Sequence, residues 1–212
     1  MEILKEIESE HFLEKHGFSV VPRSIITKKS QLLASAEKLG FPIVMKNPSF
    51  LHKTEKSAVL LNITEETLLT GYTSLHSRTV LIQKQLNGIE LLAGLKNDPV
   101  FGHVIACGSG GIFTEILKDA AFRVCPITTE DAKSMLADLQ IYKILTGYRS
   151  KSYPLKKIIS FLVKLSHLPS NHPEIQELDI NPLIIDEKNL NVADARITSD
   201  TKISCTQRCR KT

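Results

Sequence analysis

Between residues 79 and 124 the chain repeatedly shows short apolar segments of the strand type, with only turns between them. They read TVLIQK (79–84), IELLAGL (89–95), VIAC (104–107), IFTEIL (112–117) and AFRV (121–124). Connections this short can join antiparallel strands, but they cannot hold the crossover that parallel strands need. Because no strict strand–helix–strand alternation appears, the pattern favours an α+β fold over a doubly wound parallel sheet.

Apolar residues at helical spacing lie outside this region. A helix is expected from about Leu4 to His16, and the next residue, Gly17, would terminate it. A second helix is expected after Ser30. Three further helices are expected, one opening at Thr64 with two glutamates in its first turn, one beginning at Thr128 and one covering Leu155–His167. Additional strands are predicted at 41–46, 58–63, 175–180, 183–185 and 191–195. In 212 residues, this content fits one large domain or two small α+β lobes.

The excess of positive charge is concentrated near the C-terminus. The net charge is +4, and residues 198–212 contain four basic residues and one acidic residue. The preceding part holds 23 of the 27 basic and 22 of the 23 acidic residues, so it is nearly neutral. With no tryptophan and 6% aromatic residues, a nucleic-acid platform is not expected. We expect a basic, flexible tail over residues 198–212 and no nucleic-acid partner.

Cysteine use and hydropathy bear on the compartment. Cys107 and Cys125 lie in apolar segments, and the C-x3-C pair Cys205 and Cys209 lacks the further ligands of a zinc site. The N-terminus is charged and amphipathic, and no segment approaches the ~20 apolar residues of a membrane span. We therefore expect a cytoplasmic protein that does not associate with membranes.

Two basic side chains could handle phosphate. Lys46 ends the strand segment FPIVMK, where its ammonium could hold a phosphate as a point charge. The alternative is a lysine that snorkels to solvent at a strand end. His52 follows in a loop beside Lys53 and Lys56, where a neutral imidazole could act as a nucleophile towards a phosphoryl group. An inert surface histidine is the alternative there.

Three oxygen-bearing side chains near the C-terminus suggest a metal site. Asp179 and Asn181 are two positions apart in ELDINPLIID, so they share one face of a strand. Asp194 lies on the next strand, which can pair with the first through the turn at Asp186. Oxygen ligands of this kind suit Mg²⁺ that carries ATP phosphates. The polar positions alternate with Leu178, Ile180 and Leu183 and resemble an inward-facing row, whereas solvated polar groups are the alternative.

Weaker signals concern a nucleotide. The glycine-rich GSGG, which ends in Gly110 and Gly111, could let backbone N–H groups approach an anion. Gln83 and Lys84 close an apolar strand and could offer hydrogen bonds to an adenine edge. Glu90 suits the ribose hydroxyl pair.

The order of these motifs resembles one family. GFPIVMK, FLHKTE, VLIQKQLNGIELLAGLKNDPVFG, GSGGIFTEILKDAAFR, ELDINPLI and VADARI are similar in sequence and order to the ATP-grasp β subunit of ADP-forming acetate–CoA ligases. The resemblance implies an ATP-grasp domain over residues 1–197, with nucleotide held between two α+β lobes. The small lobe is expected at about 21–82, and the large lobe at 1–20 plus 83–197.

The resemblance also implies an activity, which is acyl-CoA + ADP + phosphate ⇌ acid + ATP + CoA through a phosphohistidine relay. A CoA-binding α subunit that carries the first phosphohistidine is the implied partner, and ATP or ADP with Mg²⁺ are the implied cofactors. In this chain, His52 would be a second phosphoryl carrier and Lys46 the phosphate-binding lysine. The adenine hinge would fall at Gln83 to Leu86, and the metal ligands would be Asp179, Asn181 and Asp194.

Two departures from the family pattern keep alternatives open. The segment between Lys46 and His52 is shorter than the usual pattern, and Lys56-Ser57 stands where the family commonly has two glycines. The loss of glycines restricts the backbone of this loop. The altered loop makes a non-catalytic ATP-sensing module an alternative to an acetate–CoA ligase subunit. A subunit of the related succinate–CoA ligase type, also an ATP-grasp enzyme, is a second alternative.

Overall fold

The computed structural model describes residues 1–48, 58–110, 119–147 and 153–201. In these ranges the strands are β1 (Glu2–Leu4), β2 (Arg23–Ile26), β3 (Ile43–Lys46), β4 (Val59–Ile63), β5 (Val80–Lys84), β6 (Ile89–Asp98), β7 (Gly102–Ser109), β8 (Ala120–Val124), β9 (Ile175–Ile185), β10 (Leu190–Val192) and β11 (Ala195–Ser199). The helices are α1 (Glu6–Lys15), α2 (Leu32–Leu39), α3 (Leu68–Ser74), α4 (Thr129–Ala137), α5 (Tyr142–Leu145), α6 (Leu155–Ser166) and α7 (Leu168–Asn171).

The chain divides into two compact units. The larger unit consists of Met1–Ser19 and the part from Gly88 onward, and the smaller unit is Val20–Asn87. The smaller unit thus ends after Asn87 and not at about residue 82, the end expected from the sequence. The reason is that β5 runs to Lys84 and pairs with both β2 and β3 along its length.

The larger unit is built on an antiparallel sheet. Its strand order is β1-β11-β9-β6-β7-β8, with β10 also paired to β9. Helix α6 packs against β6 and β7, and α1 packs against β11. The buried side of α6 consists of Ile158, Phe161, Leu162 and Leu165, at the i, i+3, i+4, i+7 spacing that gives a helix one apolar face.

The smaller unit is a four-stranded antiparallel sheet in the order β2-β5-β3-β4. Its core is formed mainly by β-branched and long aliphatic side chains of the two central strands, including Ile43, Met45, Val80 and Ile82, packed with Leu32 of α2. Both units therefore combine helices with antiparallel sheets, and the predicted α+β class is confirmed.

Three local expectations change. The predicted strands 175–180 and 183–185 form the single strand β9. The predicted tail begins too early, because β11 continues to Ser199 and pairs with β1 and β9. Leu4 belongs to β1 and not to the first helix. No helix in the described ranges combines the length and the apolar character that crossing a bilayer requires.

Candidate functional site

Two of the predicted metal ligands, Asn181 and Asp194, lie side by side in the larger unit. The backbone N–H of Asn181 donates to the carbonyl oxygen of Asp194 at 3.2 Å, and the N–H of Ala193 donates to the carbonyl oxygen of Pro182 at 3.0 Å. The sequence predicted Asp194 within a strand, but this residue lies between β10 and β11. These backbone bonds fix the position of Asp194 relative to Asn181.

The sheet is also irregular on the other side of Asn181. Leu91 pairs with Leu183 and Ala93 with Ile180, so Leu92 alone opposes Asn181 and Pro182. This two-to-one pairing is a β-bulge, a feature that re-aims a side chain and often lies beside an active site. Proline has no backbone N–H, so it fits where the ladder is interrupted.

Asp179 lies two residues before Asn181 on the same face of β9. Both residues are exposed, whereas Leu178 and Ile180 between and beside them are buried. The two polar side chains therefore share a face as predicted, but the inward-facing interpretation of the row is wrong. Asp179 pairs in register with Arg196 of β11, which places a guanidinium-bearing residue directly beside it.

The turn between β9 and β10 is held by Asp186. Its Oδ1 accepts hydrogen bonds from the N–H groups of Lys188 at 2.7 Å and Asn189 at 2.6 Å. These bonds, that of Lys188 foremost, lower the pKa of Asp186. The hairpin predicted at this position thus forms, and it returns the chain along β9 towards Asp194.

The donor set of Asp179, Asn181 and Asp194 is chemically suited to Mg²⁺. Two carboxylates and an amide oxygen are hard oxygen ligands, which Mg²⁺ prefers. The described residues contain no group of three or more His, Cys, Asp and Glu placed to hold a metal. The three residues lie outside that definition, because Asn181 contributes an amide. Their role as ligands stays a prediction.

Lys46 lies at the end of β3 in the smaller unit. All four residues of β3 are buried, and Lys46 is 6% exposed. This burial disfavours the snorkelling alternative. The following residue, Asn47, is anchored by its N–H to the carbonyl oxygen of Ala58 at 2.9 Å and by its Nδ2 to that of Leu75 at 3.2 Å. The backbone that carries Lys46 is therefore held on both sides.

The predicted adenine hinge spans the end of β5 and the link to the larger unit. Gln83 is 2% exposed, Lys84 is exposed, and Leu86 is half-buried. The N–H of Lys84 is already bonded to the carbonyl oxygen of Pro22 at 2.9 Å. Within the described ranges, the backbone N–H and C=O of Leu86 make no hydrogen bond. The backbone of Leu86, a predicted hinge residue, is therefore available to a ligand.

A residue that the sequence analysis did not single out, Gln85, fixes the start of this link. Its Oε1 accepts the N–H of Asn62 at 2.7 Å, and its Nε2 donates to Asn62 Oδ1 at 2.7 Å. Asn62 has a positive φ of 57°, a conformation that asparagine tolerates better than most residues. An asparagine near the end of a predicted strand was the one sequence signal for this contact.

Gly110 and Glu90 are joined through their backbones. The N–H of Gly110 donates to the carbonyl oxygen of Glu90 at 2.9 Å, so it is not free to bind an anion, contrary to the prediction. A Cβ at Gly110 would lie 2.8 Å from the carbonyl carbon of Glu90. This glycine therefore permits close packing of two backbones, and the exposed side chain of Glu90 remains open to a ligand.

Asp119, just before β8, is a buried acceptor of hydrogen bonds. It is 5% exposed, and its carboxylate accepts hydrogen bonds from Ser109 Oγ at 2.5 Å, from the N–H of Gln140 at 2.8 Å and from that of Ile141 at 3.2 Å. Burial raises the pKa of Cys107 to about 12, and the negative charge of Asp119 makes a smaller contribution in the same direction. His52 and Gly111, both predicted site residues, lie outside the described residues.

Comparison with known proteins shows the family of the chain. The family model of the ATP-grasp domain matches residues 1–198. The β subunit of ADP-forming acetate–CoA ligase II from Pyrococcus furiosus is 36% identical over 211 residues, which cover 91% of this chain and 89% of the relative. ADP-forming acetate–CoA ligase I from Archaeoglobus fulgidus is 35% identical over 200 residues, which cover 87% of this chain. This chain spans 29% of the length of that relative.

A solved structure is similar over nearly the whole chain. It is acetyl-coenzyme A synthetase 1 from Candidatus Korarchaeum cryptofilum in complex with coenzyme A and Mg-AMPPCP, with its phosphohistidine segment pointing towards the nucleotide-binding site. The TM-score is 0.81 at 32% identity, and the match covers 93% of this chain and 92% of the other. The ATP-grasp fold expected from the sequence is thereby confirmed.

Proposed function

Because the chain belongs to the ATP-grasp domain family, we propose that it is the nucleotide-binding β subunit of an ADP-forming acetate–CoA ligase. The observation that carries the proposal is its extent: the chain matches a separate β subunit over 89% of that relative's length. The names of the relatives favour the acetate type over the succinate type. The reaction is acetyl-CoA + ADP + phosphate ⇌ acetate + ATP + CoA.

Three exposed or half-buried polar residues of the larger unit would provide the metal end of the site. Asp179, Asn181 and Asp194 would hold Mg²⁺, which would offset negative charge on the β- and γ-phosphates. The backbone bond between Asn181 and Asp194 holds the backbones of these two residues next to each other before nucleotide binds. Such preorganisation matters because phosphoryl transfer relies on alignment and charge stabilisation more than on covalent chemistry.

The smaller unit provides the phosphate-binding lysine and part of the adenine contact. Lys46, presented from a buried strand, would neutralise a phosphate oxygen. The unbonded N–H and C=O of Leu86 would read the adenine edge, Gln83 and Lys84 would shape the hinge, and Glu90 would accept hydrogen bonds from the ribose hydroxyls. His52 would carry a phosphoryl group, with its N–P bond breaking as a bond to the terminal oxygen of ADP forms.

The proposal requires a partner. The CoA-binding part of the reaction is assigned to an α subunit that carries a phosphohistidine, as the Korarchaeum enzyme carries a phosphohistidine segment. The cytoplasm is the proposed compartment, because ATP is available there and the described cysteines Cys107 and Cys125 are free thiols.

Reconstitution tests the proposal. The chain and its α subunit are purified separately, and ATP formation from acetyl-CoA, ADP and phosphate is followed with each alone and with the mixture. We expect ATP only from the mixture, at a rate that depends on Mg²⁺. A mixture that forms a complex but makes no ATP from any acyl-CoA would contradict the proposal, as would full activity of this chain alone.

A further inference from the structure

One face of the larger sheet carries exposed large apolar side chains. Phe122 and Val124 on β8 are 60% and 53% exposed, and Phe101 in the β6–β7 turn is 65% exposed. Ala121, whose side chain lies on the opposite face of β8 from those of Phe122 and Val124, is 6% exposed. Monomeric soluble proteins rarely expose large contiguous apolar patches. Grouped apolar side chains of this kind therefore often mark an interaction surface.

A trough runs from these aromatic side chains towards Asp179. Asp179 pairs with Gly94, Gly94 with Ala106, and Ala106 with Phe122, so the four residues form one row across β9, β6, β7 and β8. A cavity of about 400 Å³ lies over this row and is also lined by Phe101. We call this surface, made of Gly94, Ala106, Phe101, Phe122 and Asp179, the trough.

The floor of the trough is formed by small residues. Gly94 has no side chain, and Ala106 has only a methyl group, so a ligand can approach the sheet backbone closely. Strands lie about 4.8 Å apart, so the three steps from Phe122 to Asp179 span about 14 Å. That length suits several residues of polypeptide and exceeds a small carboxylic acid.

The aromatic end is rigid. Asp98 Oδ1 accepts the N–H of Val100 at 2.8 Å and that of Phe101 at 3.0 Å. These bonds, that of Phe101 first, lower the pKa of Asp98. Because the turn is already ordered, docking on Phe101 requires little further loss of conformational entropy. Exposed aromatic residues on ordered backbone are typical anchors of protein interfaces.

The other end of the trough is balanced in charge. Glu177 pairs with Lys96, and Asp179 pairs with Arg196. The trough thus joins an apolar anchor at β8 to a polar end at β9, where the predicted metal ligand Asp179 lies. An occupant that binds the aromatic end and extends along the row arrives beside the proposed metal ligand Asp179.

We propose that the trough is the docking surface of the CoA-binding partner subunit, which places an apolar side chain between Phe101 and Phe122 and extends a segment towards Asp179. The inference rests on the proposed function. Two observations favour this occupant. The Archaeoglobus relative joins the matched region to further protein in one chain, and the phosphohistidine segment of the Korarchaeum enzyme points towards its nucleotide-binding site.

Two kinds of variant test the trough. The double variant F101S/F122S removes the aromatic anchors, and Ala106→Leu fills the floor. Since Phe101 and Phe122 are exposed, their replacement should leave folding intact. Leu69→Ser is the matched control, because Leu69 is 54% exposed on α3, away from the trough residues in sequence and in the smaller unit. Affinity for the purified partner subunit and for Mg-AMPPCP is measured by calorimetry for each chain.

We expect the double variant and Ala106→Leu each to weaken partner binding at least about tenfold. Leu69→Ser should change it less than about twofold, and all variants should bind Mg-AMPPCP like the unmodified chain. Unchanged partner affinity in either trough variant overturns the inference. A self-associating chain that becomes monomeric in the double variant would assign the trough to a second copy and also overturn it. Failure of the unmodified chain to bind Mg-AMPPCP contradicts the proposed function instead, independently of the partner result.

Discussion

The backbone N–H of Asn181 donates a 3.2 Å hydrogen bond to the carbonyl oxygen of Asp194. This bond lies where β9 bulges against β6 and where the chain passes from β10 to β11. The backbones of two residues with oxygen-bearing side chains are thus joined, and their proximity does not depend on the side chains attracting each other.

Lys46→Met should weaken binding of ATP and ADP by about ten- to a hundredfold, because it removes a charge-assisted contact to phosphate. Adenosine binding should be unchanged, since adenosine has no phosphate. Methionine suits the buried position, so the fold should persist. Calorimetric titrations check the change, with Lys38→Met as the control because Lys38 is exposed on α2 in the same unit. Equal weakening of adenosine and ATP would argue against a phosphate role.

Asp119→Ala should lower the free energy of unfolding by about 2–4 kcal/mol, because three donors lose their buried acceptor. Ser109→Ala removes only one of those donors and should cost about 1 kcal/mol. Urea denaturation of both variants gives the comparison. If the two losses are equal, the bonds from Gln140 and Ile141 to Asp119 contribute nothing to stability.

Asp186→Ala should destabilise the protein at neutral pH and lose this effect in acid. The folded-state pKa of Asp186 is lowered, chiefly by the N–H of Lys188. The stabilisation is therefore present above the unfolded-state value of about 3.9 and is lost as the pH falls through the lower folded-state pKa. Thermal unfolding from pH 2 to pH 7 checks this. Glu187→Ala is the control, and a pH-independent difference for Asp186→Ala would contradict the electrostatic cause.

Cys107 and Cys125 should resist alkylation in the folded protein. Burial raises the pKa of each thiol to about 12, so the reactive thiolate is scarce at pH 8. Iodoacetamide labelling followed by peptide mass spectrometry should show both thiols unmodified in buffer and modified in urea. Rapid labelling of Cys107 without denaturant would show that the sheet of the larger unit opens.

Local pattern predicted much of the fold, since β5 and β6 are apolar runs bounded by turns. It failed at β9. There Asn181-Pro182 indicated a break in the strand, whereas the pairing of β9 with β6 continues on both sides of a bulge. It also missed β1, whose pairing partner β11 is almost the whole chain away in sequence.

For the site, residue chemistry singled out Asp179, Asn181 and Asp194 as candidate metal ligands, and the alternation of β9 places the first two on one face as predicted. The close approach of Gly110 to Glu90 was not predictable, because it depends on how β6 and β7 pack. The acceptor role of Asp119 likewise depends on contacts with Gln140 and Ile141, whose positions only the tertiary fold defines.

The most direct test of the central claim is calorimetric titration of the isolated chain with AMPPCP, with and without Mg²⁺, for the unmodified protein and Asp194→Asn. We predict one nucleotide bound per chain, tighter binding with Mg²⁺, and loss of that Mg²⁺ enhancement in Asp194→Asn. Absence of nucleotide binding by the unmodified chain, or an Mg²⁺ enhancement that Asp194→Asn leaves intact, would contradict the account.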